Sequence, residues 1–154
     1  MTRHIPIAVF CCALLLSTAS CEHQPVPSTT ASADWWCMLK NIYHEAGGEG
    51  VKGMQAVALV TLNRAKQKGK TVCEVVFAPK QFSWANTEKG RNKPLRGNLN
   101  NAYDVATQAM AGKLHDFTGG ATHYHTTAVK PVWRTALNKL VVINNHIFYK
   151  EKTK

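Results

Sequence analysis

The chain has 154 residues, 45% of them hydrophobic and 18% charged. That is enough for one hydrophobic core, and it excludes two full-size domains, a disordered chain and a multi-span membrane protein. Nineteen Lys and Arg against nine Asp and Glu leave a net charge of +10. A surplus of that size draws polyanions, and nucleic acid, an anionic membrane face and an anionic cell wall all qualify.

In chain order, Met1–His4 carries Arg3, residues 5–16 form an apolar run, and Ser17-Thr18-Ala19-Ser20 supplies small residues. This is the three-part layout of a secretory signal peptide, predicted over residues 1–21. The run is shorter than the roughly 20 apolar residues that span a bilayer. Cys21 after the small residues resembles a lipoprotein processing site, although the pattern wants Leu where Thr18 stands. Cleavage near Ser20 is the expectation, and lipidation of Cys21, which would tether the protein to a membrane, is the alternative. Residues 22–33, rich in Pro, Ser and Thr, read as a linker. Of five cysteines, Cys11 and Cys12 fall in the signal and Cys21 at its edge. Export makes a disulfide between the remaining Cys37 and Cys73 permissible, with two buried free thiols as the alternative.

A catalytic domain is expected over 34–154. Asp34 is positioned to cap a helix whose Trp35, Met38, Leu39 and Ile42 share one face and which stops at Gly47-Gly48. Trp35 and Trp36 are expected in the core. A second helix over 52–66 is apolar around most of its circumference and reads as the central buried helix. Thr71-Val72-Cys73-Glu74 is a capping box opening a short helix over 71–77. Residues 86–98 read as a surface loop. Asn98 precedes a helix over 99–111 with Leu99, Ala102, Tyr103, Ala106 and Met110 inward. Residues 121–127, 140–143 and 146–149 read as strands, with Asn144-Asn145 as a turn.

Glu45 is the most informative acid. It sits one turn beyond Ile42, at the edge of the buried stripe, and small residues follow it. Partial desolvation raises a carboxyl's pKa, and a carboxylic acid protonated near neutrality can donate to a glycosidic oxygen. A surface glutamate near a helix end is the alternative.

Several blocks occur in one order: Tyr43-His44-Glu45-Ala46-Gly47-Gly48-Glu49-Gly50, Gly53-Met54-Gln55-Ala56-Val57-Ala58, Leu62-Asn63-Arg64, Thr71–Val76, Gln81-Phe82-Ser83-Trp84, Gly120–His125, Pro131-Val132-Trp133 and His146–Tyr149. Over residues 36–149 the chain thereby resembles the spore cortex-lytic, germination-type cell-wall hydrolases. The resemblance implies a lysozyme-like, lytic-transglycosylase-like α+β fold, mainly helical with a small C-terminal β element. It implies Glu45 as the catalytic acid. The family often carries Arg where Gly47 stands, which puts a loop or substrate contact in doubt but not the acid. A hydrolysing glycosidase uses two carboxylates, whereas a transglycosylase needs one. The implied reaction is cleavage of the MurNAc–GlcNAc bond to a 1,6-anhydro product. Hydrolysis with a second carboxylate is the alternative.

Glu49 is the nearest second carboxylate. Its expected role is to bind backbone N–H groups at the start of the next helix, with substrate binding as the alternative. Gln81, Phe82, Ser83, Tyr124, His125 and Trp133 match family positions expected to line the glycan cleft, with core packing as the alternative for Phe82 and Trp133. His123, His125 and His146 raise a competing chemistry, a three-His zinc site serving a wall amidase or peptidase. The basic residues of 64–70 and 80–96 suggest a rim that captures anionic stem peptides, or merely a solvated face. A non-catalytic peptidoglycan-binding module is the non-enzyme alternative. The expectation is an exported, periplasmic or wall-associated monomer acting on peptidoglycan glycan strands, with no cofactor, no metal and no nucleic-acid partner.

Overall fold

The computed structural model describes residues 29–152. The signal expected over 1–21, Cys21 and the first part of the linker lie outside the described residues. Five helices come in the order α1 (Thr29–Ala46), α2 (Gly50–Lys68), α3 (Val72–Val76), α4 (Glu88–Arg91) and α5 (Asn100–Met110). Three strands follow: β1 (His123–Thr126), β2 (Leu137–Ile143) and β3 (His146–Glu151). They form one antiparallel sheet with β3 in the centre. The mainly helical α+β architecture expected from the sequence is the one observed.

Helix α2 is the axis of the molecule. One side of it packs with Met38, Leu39 and Ile42 of α1, Val75 and Val76 of α3, and Val105 and Ala106 of α5 in the main core. The other side presents Ala56 and Val60 to Ala121, Ile143 and Phe148, joining the sheet to the helices. A helix buried on both sides must be apolar almost all round, which is the pattern its sequence shows. Gly69 ends it at φ 60°, a left-handed cap whose N–H reaches back to the last turn and which glycine adopts without Cβ strain. The capping box of α3 is present in both directions between Thr71 and Glu74.

Four expectations need correction. Helix α1 begins at Thr29, so residues 29–33 are helical rather than linker, and Asp34 is not its cap. The Asp34 carboxylate accepts instead from the Cys73 backbone N–H at 2.8 Å. Trp36 is 55% and Tyr103 54% exposed. Both sit about Trp35, whose ring meets each edge-on, while Val105 and Ala109 take the inward positions of α5. The 86–98 loop contains α4, a single turn capped by Thr87, whose hydroxyl accepts from Gly90 N–H. One turn has no apolar period to reveal it. Strand β2 starts at Leu137, and its register slips around Leu140, between Lys139 and Val141, which marks a bulge.

Cys37 and Cys73 form a disulfide that ties α1 to α3 across 36 positions of sequence. Closing a loop of that length restricts the unfolded chain and stabilises the fold by about 3–4 kcal/mol in the chain-entropy account. The Cys37→Ala/Cys73→Ala protein should therefore show a lower midpoint in urea by about that free energy. A midpoint within about 0.5 kcal/mol of the parent's would mean that the packed helices hold without the bridge.

Candidate active site

Glu45 lies in the last turn of α1, where the helix leaves the core. Across from it, Tyr124 of β1 donates its hydroxyl to Glu45 Oε2 at 2.7 Å. Strand register sets the tyrosine: Tyr124 pairs with Phe148 of β3, and its ring lies against Phe148 and edge-on to His146. Arg64 of α2 completes the group. It is 9% exposed, its Nε donates to the Thr122 carbonyl at 2.6 Å, and its guanidinium sits 5.0 Å over the Phe82 ring. Arg64 Nη1 is buried without a hydrogen-bond partner among the described residues.

These groups set the protonation of the acid. Burial pushes the Glu45 carboxyl up from its usual range, and the Tyr124 hydrogen bond and the charge of Arg64 pull it partly back, leaving it raised. Burial and the neighbouring Glu45 push the Tyr124 phenol well above its ordinary value, so it remains a donor. The pair therefore holds one acid that carries its proton closer to neutrality than a surface glutamate, with a fixed donor for its charged form.

A cleft of about 320 Å³ adjoins the pair, lined by Arg64, Lys80, Gln81, His123, Tyr124 and Trp133. Gln81, Tyr124 and Trp133 are thus brought together as expected. Phe82 is 3% exposed and belongs to the core. It supports Arg64 from below rather than meeting a ligand, which corrects the cleft role expected of it. Ser83 is exposed at the start of a 3-10 turn and does not line this cleft. His125 is 8% exposed and stacks on Tyr149. Its ring nitrogens engage the Thr126 carbonyl and the Tyr149 hydroxyl. It buttresses Trp133 (centroids 5.5 Å apart) rather than lining the cleft.

Glu49 is also corrected. Its oxygens accept from the Asn145 backbone N–H at 3.1 Å and the Asn145 side-chain amide at 3.2 Å, and its own carbonyl accepts from Asn144 Nδ2. The carboxylate clamps the β2–β3 turn, not the start of α2, with one hydrogen bond to each oxygen. Asp116 is committed in the same way, to Thr118, Gly120 and Asn63. Burial pushes its carboxyl up, but those hydrogen bonds outweigh it and hold it below the usual range.

The three-His zinc site fails on strand geometry. His123 and His125 point to the face of β1 that carries Trp133, whereas His146 packs edge-on to Tyr124 on the other face. No group of three metal-ligating side chains occurs among the described residues.

Two members of the site were not legible as such. Arg64 stood in the Leu62-Asn63-Arg64 block and among the basic residues expected as a rim or a solvated face, although it continues the stripe Gly53, Val57, Val60 along α2, a signal of burial at helical spacing. His123 lines the cleft beside Trp133, and its alternation with Tyr124 across β1 gave no sign of that.

Comparison with known proteins sets this geometry in context. A family model described as Cell Wall Hydrolase matches residues 48–149, beginning just past Glu45. No curated protein matches the chain. The catalytic domain of the germination-specific lytic transglycosylase SleB from Bacillus anthracis is 29% identical. The match covers 81% of this chain and 100% of that one, with a TM-score of 0.67. The catalytic domain of the Bacillus cereus SleB protein is 30% identical over 81% of this chain and 95% of that one, with a TM-score of 0.66.

Two measurements check the site. Removing the phenol in Tyr124→Phe deletes a hydrogen bond that favours the charged carboxylate, so the Glu45 pKa should rise further in a carbon-13 carboxyl titration; a fall would contradict the pairing. In Glu49→Gln the turn clamp weakens, and thermal unfolding should record a loss of about 1–3 kcal/mol. An unchanged melt would mean the clamp carries no stability.

Proposed function

The chain belongs to the cell wall hydrolase family, and from that premise we propose that it cleaves the glycan strand of peptidoglycan as a lytic transglycosylase with Glu45 as acid and base. The observation that carries the reading is a carboxyl with a raised pKa, hydrogen-bonded to a fixed phenol that lines a cleft. The Bacillus anthracis SleB catalytic domain that this chain resembles is that of a germination-specific lytic transglycosylase. Neighbouring Glu49 and Asp116 are spent on turns, which supports a one-carboxylate mechanism over hydrolysis with a second acid.

The mechanism follows from that geometry. Protonated Glu45 gives its proton to the glycosidic oxygen between MurNAc and GlcNAc, and the C1–O bond breaks with the electron pair leaving on that oxygen. The sugar left behind carries positive charge at C1 and its ring oxygen. Glu45, now a carboxylate, is held by the Tyr124 hydroxyl. It then takes the proton from the muramoyl 6-hydroxyl as O6 closes onto C1. The products are a 1,6-anhydro sugar and a shortened strand, with Glu45 protonated again and no water consumed. Gln81 and Trp133 offer a hydrogen-bonding amide and an aromatic surface on the cleft wall. Arg64 supplies positive charge beside Glu45 that favours its ionised state after the first proton transfer. An export signal over 1–21 fits a substrate outside the cytoplasm. No described helix is long and apolar enough to cross a membrane.

The test is mass spectrometry of soluble products from purified peptidoglycan. The wild-type chain should release anhydro-muropeptides, and Glu45→Gln should lower the rate by about 10²–10⁴-fold. Reducing muropeptides would mean hydrolysis. Peptides released from intact glycan would overturn the reading in favour of an amidase or peptidase, and no product on several wall types would favour a binding module.

A further inference from the structure

Successive helical side chains are about 100° apart, so His44 does not share the direction of Glu45. It faces the segment 87–98. Two cavities open there, of about 320 and 750 Å³, and both have His44 and Lys93 in their walls. Arg96 joins Lys93 in the smaller and Lys89 in the larger, and no Asp or Glu lines either. Met54, Leu99 and Ala102 give the smaller an apolar side.

The walls are held from several sides. Arg96 N–H donates to the Tyr43 hydroxyl at 3.2 Å, Lys40 Nζ donates to the Arg91 carbonyl at 3.4 Å, and Arg91 Nη1 donates to the Ala85 carbonyl at 2.9 Å. His44 stacks on Trp84 with centroids 4.5 Å apart, and Trp84 Nε1 donates to buried Asn41. The stack encloses His44 Nε2, so the ring serves as a wall rather than a ligand. Its imidazole registers the local field: burial, and then the charges of Lys93 and Lys40, lower its pKa.

A second basic cavity offers a contrast. Lys66, Lys150 and Lys152 line a space of about 630 Å³, but Glu151 stands in the same wall, with Gln67 donating to its carboxylate. That cavity carries its own counter-charge. The one beside His44 does not, and it begins one residue from the proposed catalytic acid.

We propose that the cavities sharing His44 and Lys93, the smaller with Arg96 in its wall, form a subsite for the carboxylate-bearing stem peptide of peptidoglycan, so that the enzyme prefers peptide-substituted muramic acid next to the bond it cuts. The inference rests on the glycan-cleaving reading above. Two converging cations match the free carboxylates of a short acidic peptide, and the apolar side suits its small side chains. Strands stripped of peptide keep only the lactyl carboxylate beside the sugar, lose the further carboxylates of the peptide, and keep their contacts in the Gln81–Trp133 cleft.

The experiment measures binding by calorimetry to the full chain carrying Glu45→Gln, which does not turn the ligand over. The probes are the GlcNAc–MurNAc disaccharide with and without its tetrapeptide. At low salt the peptide-bearing form should bind roughly tenfold more tightly, and rising ionic strength should shrink that preference. Adding Lys93→Gln and Arg96→Gln should abolish it, whereas Lys93→Arg should retain it. Both residues are exposed, and a matching thermal melt excludes misfolding. Equal affinity for the two probes, or a preference that survives the double substitution, overturns the subsite. If neither probe binds and the wild-type chain leaves peptidoglycan uncut, the glycan-cleaving reading has failed and the subsite falls with it. Cleavage by wild type without any peptide preference sinks the subsite alone.

Discussion

The hydrogen bond from Tyr124 to Glu45 is the contact on which the arrangement of the site depends. Its two ends lie 79 positions apart in sequence, one on a helix and one on the sheet. A separation under 3 Å requires that the two layers dock in a single register. Phe148 and Ile143 packed against Ala56 and Val60 of α2 provide that docking. Glu49 fastens the β2–β3 turn to the start of α2, and the Cys37–Cys73 bridge fixes α1 against α3. Together these contacts hold the sheet and α1 where the Tyr124 phenol reaches the Glu45 carboxyl.

Electrostatics at this contact are a balance. Burial alone would push the Glu45 carboxyl further up and make it a poorer base for the second proton transfer of the proposed mechanism. A strong ion pair with Arg64 would hold it ionised and make it a poor acid for the first. The guanidinium instead directs its Nε to the Thr122 carbonyl and rests on Phe82, so it acts on Glu45 through charge rather than through a direct bond. That intermediate setting suits the giving and taking of a proton proposed for Glu45.

Local chemistry made much of the fold readable. The α3 capping box, the apolar face of α1 and the Asn144-Asn145 turn depend on residues close in sequence, and each is where its pattern puts it. Glu45 and Tyr124 came from the resemblance together with the helical position of the acid. The tertiary roles were not readable. Whether Glu49 turns to a helix start or a hairpin, and whether His125 faces a cleft or Tyr149, depends on which distant backbone arrives beside it. The burial of Phe82 under Arg64 has the same character. The first start of α1, five residues early, came from Thr29–Ala33 extending a helix that packing further along already stabilises.

The distribution of acids then bears on the chemistry itself. With so few carboxylates in a basic chain, each one spent on structure is unavailable to activate water. Asp116 orders the turn that leads into β1, and Glu49 orders the turn that leads into β3. Both turns set the sheet that carries Tyr124. The two acids thus serve the site from outside it, by holding the phenol that holds Glu45. No Asp or Glu stands among the described residues that line the cleft, where a second carboxylate would be needed to position water for hydrolysis. On the proposed mechanism the nucleophile is the substrate's own hydroxyl, and the commitment of Glu49 and Asp116 to the two turns favours ring closure over attack by water.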